Sequence, residues 1–167
     1  KLNLSTDAKE LMNISMLTNA FSPQKNISRE EFLEFKSNWL IKNADLDLIE
    51  NYLIKNKIIN SHTKLTKYFL DENLSMANIE EACKLFKKNL EAINDEYISK
   101  YNIYCLIRDN KIEEAQLIYD LKKELGLKDE YFEKKINYLF KFSTKIDETI
   151  SEKSIFDFYL AHQTNPN

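Results

Sequence analysis

Apolar side chains recur along this chain three and four residues apart, with charged and amide side chains filling the intervals, which is the period of amphipathic helices. Residues 7–20, DAKELMNISMLTNA, bring Leu11, Ile14, Met16 and Leu17 near one side of a first helix. FSPQKN interrupts the pattern. Ser28 and Glu31 then stand at capping-box spacing before FLEFKSNWLI, in which Phe32, Phe35 and Trp39 recur at helical intervals. Residues 45–55 predict a short helix that turns Leu46, Ile49 and Leu53 inward, and residues 62–72 another that uses Leu65, Phe69 and Leu70. Asn78 supplies a cap and Glu81 a first-turn acid for a helix carrying Ile79, Ala82, Leu85 and Phe86.

Further along, NDEYISKYNIYCLI selects Ile98, Tyr101 and Cys105 as an inward stripe, and the segment 112–125 runs to Gly126, which suits a left-handed carboxy-terminal cap. Asp129 opens a helix containing Phe132, Ile136, Leu139 and Phe140. Residues 152–161 predict the last one, presenting Ile155, Phe156, Tyr159 and Leu160; apolar residues stand on two of its sides, and closing the end of the stack is the expected use for them, with docking against a segment outside the given sequence as the alternative. These readings amount to about eight helices. IKNKII has the composition of an extended segment, but it is short and its neighbours are helical. A single glycine and two prolines, Pro23 and Pro166, leave little turn chemistry for a sandwich or barrel. The expected class is all-α.

NIEEACKLF begins at Asn78 and KIEEAQLIY at Lys111, so Ile79 aligns with Ile112, Glu81 with Glu114, Ala82 with Ala115 and Phe86 with Tyr119, each pair 33 residues apart. That interval accommodates two helices and their turns. One interval earlier, Leu46, Ile49 and Leu53 keep the apolar character without the identities. A helical hairpin cannot cover its own apolar stripe, whereas stacked hairpins cover one another. Ala82 and Ala115 then permit close approach of helices, and the aromatic residue four positions later fills the next layer.

The small residue followed by an aromatic four positions later, in EEACKLF and EEAQLIY, resembles the second helix of tetratricopeptide repeats, with Asn110 where the inter-helix turn of that family often has glycine. The resemblance covers about 60 residues. It departs from the family pattern at Leu70 and Ile103, where a small residue is usual, and at Asn94 and Leu127, where proline is common. It implies an irregular tetratricopeptide-like α-solenoid of about four stacked hairpins, a single helical-repeat domain over residues 1–167. The first helix of each hairpin would line the inner surface, which makes Lys67, Asp71, Lys100, Tyr104 and Arg108 the implied partner-binding residues. YCLIRDNKIEEAQLIYDLKKELGLKD is also similar to envelope-associated helical-repeat proteins of α-proteobacteria and to the solenoid portions of periplasmic murein-processing enzymes. That likeness implies a periplasmic setting, with a cytoplasmic one as the alternative.

Composition narrows the chemistry. A chain of 167 residues buries roughly 70% of the surface its unfolded form exposes, enough for a core without a disulfide or a metal. Charged residues make up 31% and the net charge is -3, so neither nucleic acid nor a polycation is indicated as a partner. No apolar run approaches a membrane span. Beginning at Lys1, the chain suggests a processed protein or part of a longer one, so the lack of a targeting segment says little about location.

Cys83 and Cys105 are too few for a disulfide framework and would pair only with Cα atoms within about 7 Å. No local base or cation marks either as a nucleophile, so both are expected to be small buried hydrophobes, with a bridge or a reactive thiol as alternatives. His62 and His162 lie far apart without metal-ligand spacing, and structural or surface roles are expected. Glu80 with Glu81 and Glu113 with Glu114 fall in first helical turns, where acids are favoured for reasons unrelated to catalysis. No phosphate loop, dinucleotide fingerprint or nucleophile elbow occurs. The sequence thus leads to a non-catalytic scaffold or protein-interaction module with a protein or peptide partner and neither cofactor nor metal. The alternative is an accessory solenoid of a murein-processing enzyme.

Overall fold

The computed structural model describes residues 4–18, 21–88 and 92–165. Nine helices lie among them: α1 (Thr6–Leu17), α2 (Arg29–Asn43), α3 (Leu46–Asn56), α4 (Thr63–Ser75), α5 (Ile79–Lys87), α6 (Glu96–Arg108), α7 (Ile112–Glu124), α8 (Glu130–Leu139) and α9 (Ile155–Thr164). No strand occurs among the described residues: the IKNKII segment begins in the last turn of α3 and continues as a turn whose Ile58 and Ile59 are buried. Residues 19 and 20, the expected end of the first helix, and Pro166 lie outside the described residues.

Local chemistry sets most helix starts. Ser28 and Glu31 form the full capping box of α2, and Asp45, Asp95, Asp129 and Ser154 each accept an amide hydrogen bond at the start of α3, α6, α8 and α9. Asn78 is an exception: its side chain makes no cap hydrogen bond. The preceding Ala77 is left-handed at φ 60°, and the Asn78 amide donates back to the Asn73 carbonyl. That closure leaves Asn78 at ψ 49° instead of extended, unlike the usual side-chain cap.

The same closure recurs one repeat later, where Asn110 also has φ 60° and Lys111 donates to Leu106. In both turns a left-handed residue lets the last carbonyls of one helix be satisfied while the chain reverses into the next. Lys57, Gly126 and Lys141 do this after α3, α7 and α8. Glycine is the low-strain choice for that backbone, so the chain forms turns without the glycines that usually reveal them.

Helices pack largely in sequence: α4 against α5 and α6 against α7, with α5 also touching α6. Alternate helices meet as well, α2 with α4, α4 with α6, α6 with α8, and α3 with α5. Ala82 and Ala115 are both 0% exposed, and each is the fourth residue of the second helix of a hairpin, so the two nonapeptides occupy equivalent places. Phe86 and Tyr119 are buried beside them, Ile79 is buried, and Ile112 is half-buried. The buried residues form one continuous cluster from Met16 to Leu160.

Three expected faces differ. In α1, Leu11 and Ile14 are exposed, and Met12, Met16 and Leu17 face the core. In α2, Phe35 is exposed while Lys36, Ser37 and Leu40 are buried, because polar groups on neighbouring elements satisfy the inward lysine and serine. Finally, α9 does not close the end of the stack. It packs on α4 and α8, returning over the middle of the molecule.

Candidate binding groove

Helices α4, α6 and α8 are successive neighbours, and α9 lies across them. Of the five residues implied as a binding wall, two are inter-helix fasteners. Lys67 on α4 pairs with Asp95, the cap of α6, at 2.8 Å, and Lys100 on α6 pairs with Asp129, the cap of α8. The two lysines are 33 residues apart and make the same link. Each ammonium also sits 5.7 Å from a ring centroid on the next helix, Tyr97 for Lys67 and Phe132 for Lys100. Burial alone would lower Lys100, but the carboxylates of Asp129 and Glu96 outweigh it and raise the ammonium above its ordinary pKa. Asp129 is correspondingly lowered: desolvation opposes this, and the hydrogen bond from Lys100 overcomes it.

Asp71, on α4, accepts hydroxyl hydrogen bonds from Tyr97 at 2.6 Å and Tyr101 at 3.0 Å, both on α6. Its carboxyl is raised by burial, with the two hydroxyls opposing the shift. Tyr101 is raised above its ordinary value by burial first and then by Tyr97 and Asp71. Arg108 reaches Glu80 only at 4.0 Å and stays largely at the surface. The structure therefore brings Asp71 and Tyr104 to one floor, uses Lys67 and Lys100 to fasten it, and leaves Arg108 at its rim.

Tyr97, Tyr101 and Phe132 complete that floor with Tyr104, and Phe156 of α9 fills it. The Phe156 ring stacks on Tyr101 at 4.0 Å and meets Tyr97, Tyr104 and Phe132 at 6.2, 5.9 and 6.4 Å. Phe156 and Leu160 are 0% exposed. Tyr104 donates to the Tyr159 hydroxyl at 3.3 Å, and Tyr131 on α8 donates to the Asp157 carbonyl at 2.8 Å. Helical period identifies Phe156 as apolar, but nothing local pairs it with rings some fifty residues earlier in the chain.

Cys83 on α5 and Cys105 on α6 are joined by a disulfide, with Cα atoms 5.4 Å apart. This corrects the expectation of two unlinked thiols. In sequence each is a small apolar residue on its own helix, and only the packing of α5 on α6 brings the two sulfurs together.

A second buried polar cluster fastens α1. The Lys36 ammonium donates to the Thr18 carbonyl at the end of α1 at 2.6 Å and lies 4.5 Å from the Tyr52 ring centroid. His62 stands 3.2 Å from the Tyr52 hydroxyl and 3.4 Å from Ser37. Burial lowers Lys36 to about 8, and burial followed by the charges of Lys36 and Arg29 lowers His62 to about 4. His62 is thus a neutral imidazole at pH 7, hydrogen-bonded within the fold. His162 is exposed and edges onto Phe158 at 4.6 Å.

Glu80 and Glu81 occupy the first turn of α5, and Glu113 and Glu114 that of α7. Among the described residues no cluster of three or more histidine, cysteine or acidic side chains is placed to hold a metal ion, and no helix is long and apolar enough to cross a membrane. No family model, curated protein or solved structure matches the chain.

Proposed function

We propose that the chain is a non-catalytic helical-repeat scaffold, an irregular tetratricopeptide-like solenoid that works as a protein-interaction module. The observation that carries this reading is the seating of α9: a groove over α4, α6 and α8 takes a helix by its apolar face, with Phe156 fully enclosed by four rings. Laying an amphipathic helix in an apolar groove is a common mode of peptide recognition. The equivalent burial of Ala82 and Ala115, the matching turns at Ala77 and Asn110, and the repeated Lys67–Asp95 and Lys100–Asp129 links support the solenoid part.

The test is affinity capture with the full-length native protein followed by cross-link mapping. A reproducible protein partner linked through Lys67, whose side chain is partly exposed, or through groove-rim neighbours is the expected result. Cross-links that all fall on remote surfaces would remove the groove from the reading.

The disulfide favours one second reading, an accessory solenoid of a periplasmic murein-processing enzyme, because such bridges persist in oxidising compartments. A signal peptide ahead of this segment and a hydrolase domain after it would select that reading. A continuous cytoplasmic protein without either would exclude it.

A further inference from the structure

The groove floor is assembled without α9. The Asp71 hydrogen bonds to Tyr97 and Tyr101 and the Lys67–Asp95 and Lys100–Asp129 pairs all run among α4, α6 and α8 and their caps, and the disulfide ties α6 to α5 behind them. None of these links involves α9, and four aromatic rings lie directly beneath its Phe156. A preformed floor avoids part of the ordering cost of binding.

By contrast, α9 is held through features that another helix can reproduce. Its anchors are Phe156, Tyr159 and Leu160, the i, i+3 and i+4 positions of one helical face. Its polar ties to the other helices include the Tyr104–Tyr159 hydroxyl pair and the bond from Tyr131 to the Asp157 backbone, the second of which reads no side chain of α9. It is joined to α8 through residues 140–154, which contain no helix. Phe142, Ile146 and Ile150 of that strap, and Ile155 and Phe158 on the outer side of α9, are exposed. The segment therefore leaves apolar surface uncovered while it covers the floor.

We infer that the groove over α4, α6 and α8 receives an amphipathic helix from a partner protein, with an aromatic anchor followed at +3 and +4 by an aromatic and an aliphatic residue, and that α9 is its built-in competitor. The inference rests on the interaction-module reading and specifies its ligand. The tether gives α9 a high effective concentration over its own groove, so a free helix competes poorly until α9 is weakened.

The probe is a fluorescein-labelled synthetic peptide of residues 152–165, titrated by anisotropy into the full chain, wild type and Phe156→Ala. The peptide is expected to bind the variant at least about tenfold more tightly than the wild type, because the competing state has lost its anchor. A peptide carrying the same Phe156→Ala change should bind neither chain. If Phe156→Ala fails to melt cooperatively, Tyr159→Ala takes its place, since Tyr159 is only half-buried and its removal loosens α9 without opening the core. Equal binding to wild type and variant, or none to a variant that melts cooperatively, would overturn the inference. So would a wild-type dimer in which α9 cross-links to the groove of a second copy, which would make exchange between copies the use of the site. A failed peptide titration alongside partner cross-links at the rim would retire the helix ligand while keeping the interaction module.

Discussion

Reduction of the Cys83–Cys105 bridge is the perturbation with the most direct magnitude. The linked residues are 22 apart in sequence. Closing a loop of that length in the unfolded chain gives about 3 kcal/mol of stabilisation at 25 °C on the chain-entropy relation. For a domain of this size each kcal/mol moves the melting temperature by about 2–4 °C, so reduction should lower it by about 6–12 °C. The assay is thermal and urea denaturation with and without dithiothreitol, with thiol titration to show that both sulfurs are free in the reduced sample. A Cys83→Ala/Cys105→Ala double variant should start lower and be insensitive to the reductant, which separates the link from other effects of the reagent. An unchanged melting temperature in a wild-type sample with two titratable thiols would refute the claim that the bridge constrains the unfolded chain.

Acid should weaken the fold through His62. Its folded pKa of about 4 lies below the ordinary value of about 6.5, so the unfolded chain takes up a proton between those values that the native state does not. The contribution is fully present above about pH 6.5, falls as pH drops toward about 4, and amounts to about 3 kcal/mol across that window. Urea midpoints measured through this range should show the step in wild type and lack it in His62→Gln; parallel curves for the two proteins would rule out the assignment. Ala115→Trp should overpack the enclosed position on α7 and cost about 1–3 kcal/mol. An unchanged melting transition would contradict its burial.

Much of the fold was legible because helices are encoded locally. The capping box at Ser28 and Glu31, the left-handed Gly126 after α7, and the inward stripes Leu65–Phe69–Leu70 and Phe132–Ile136 need only neighbours within a turn or two. The 33-residue interval likewise identified Ala82 and Ala115 as equivalent inward positions. Where period alone was followed, Phe35 and Leu11 were turned inward. Lys36 displaced Phe35 because the α1 carbonyl end offered it a partner, a fact about a different helix. For the binding wall, charge and position picked out Lys67 and Lys100, but each meets an aspartate on the next helix 28 or 29 residues on. That pairing recurs at nearly the repeat interval, so it was readable as a second repeated signal.

The sequence by itself determined an all-helical chain with two matching hairpins, since period, caps and turns act over a few residues. Tertiary structure alone decided that two apolar-looking cysteines are bonded, that Lys36 and His62 are buried in one polar cluster, and that α9 returns over α4, α6 and α8 instead of sealing an end. Those outcomes depend on which faces meet after long loops close. A hydrophobic stripe specifies that it must be covered, and it does not specify by what.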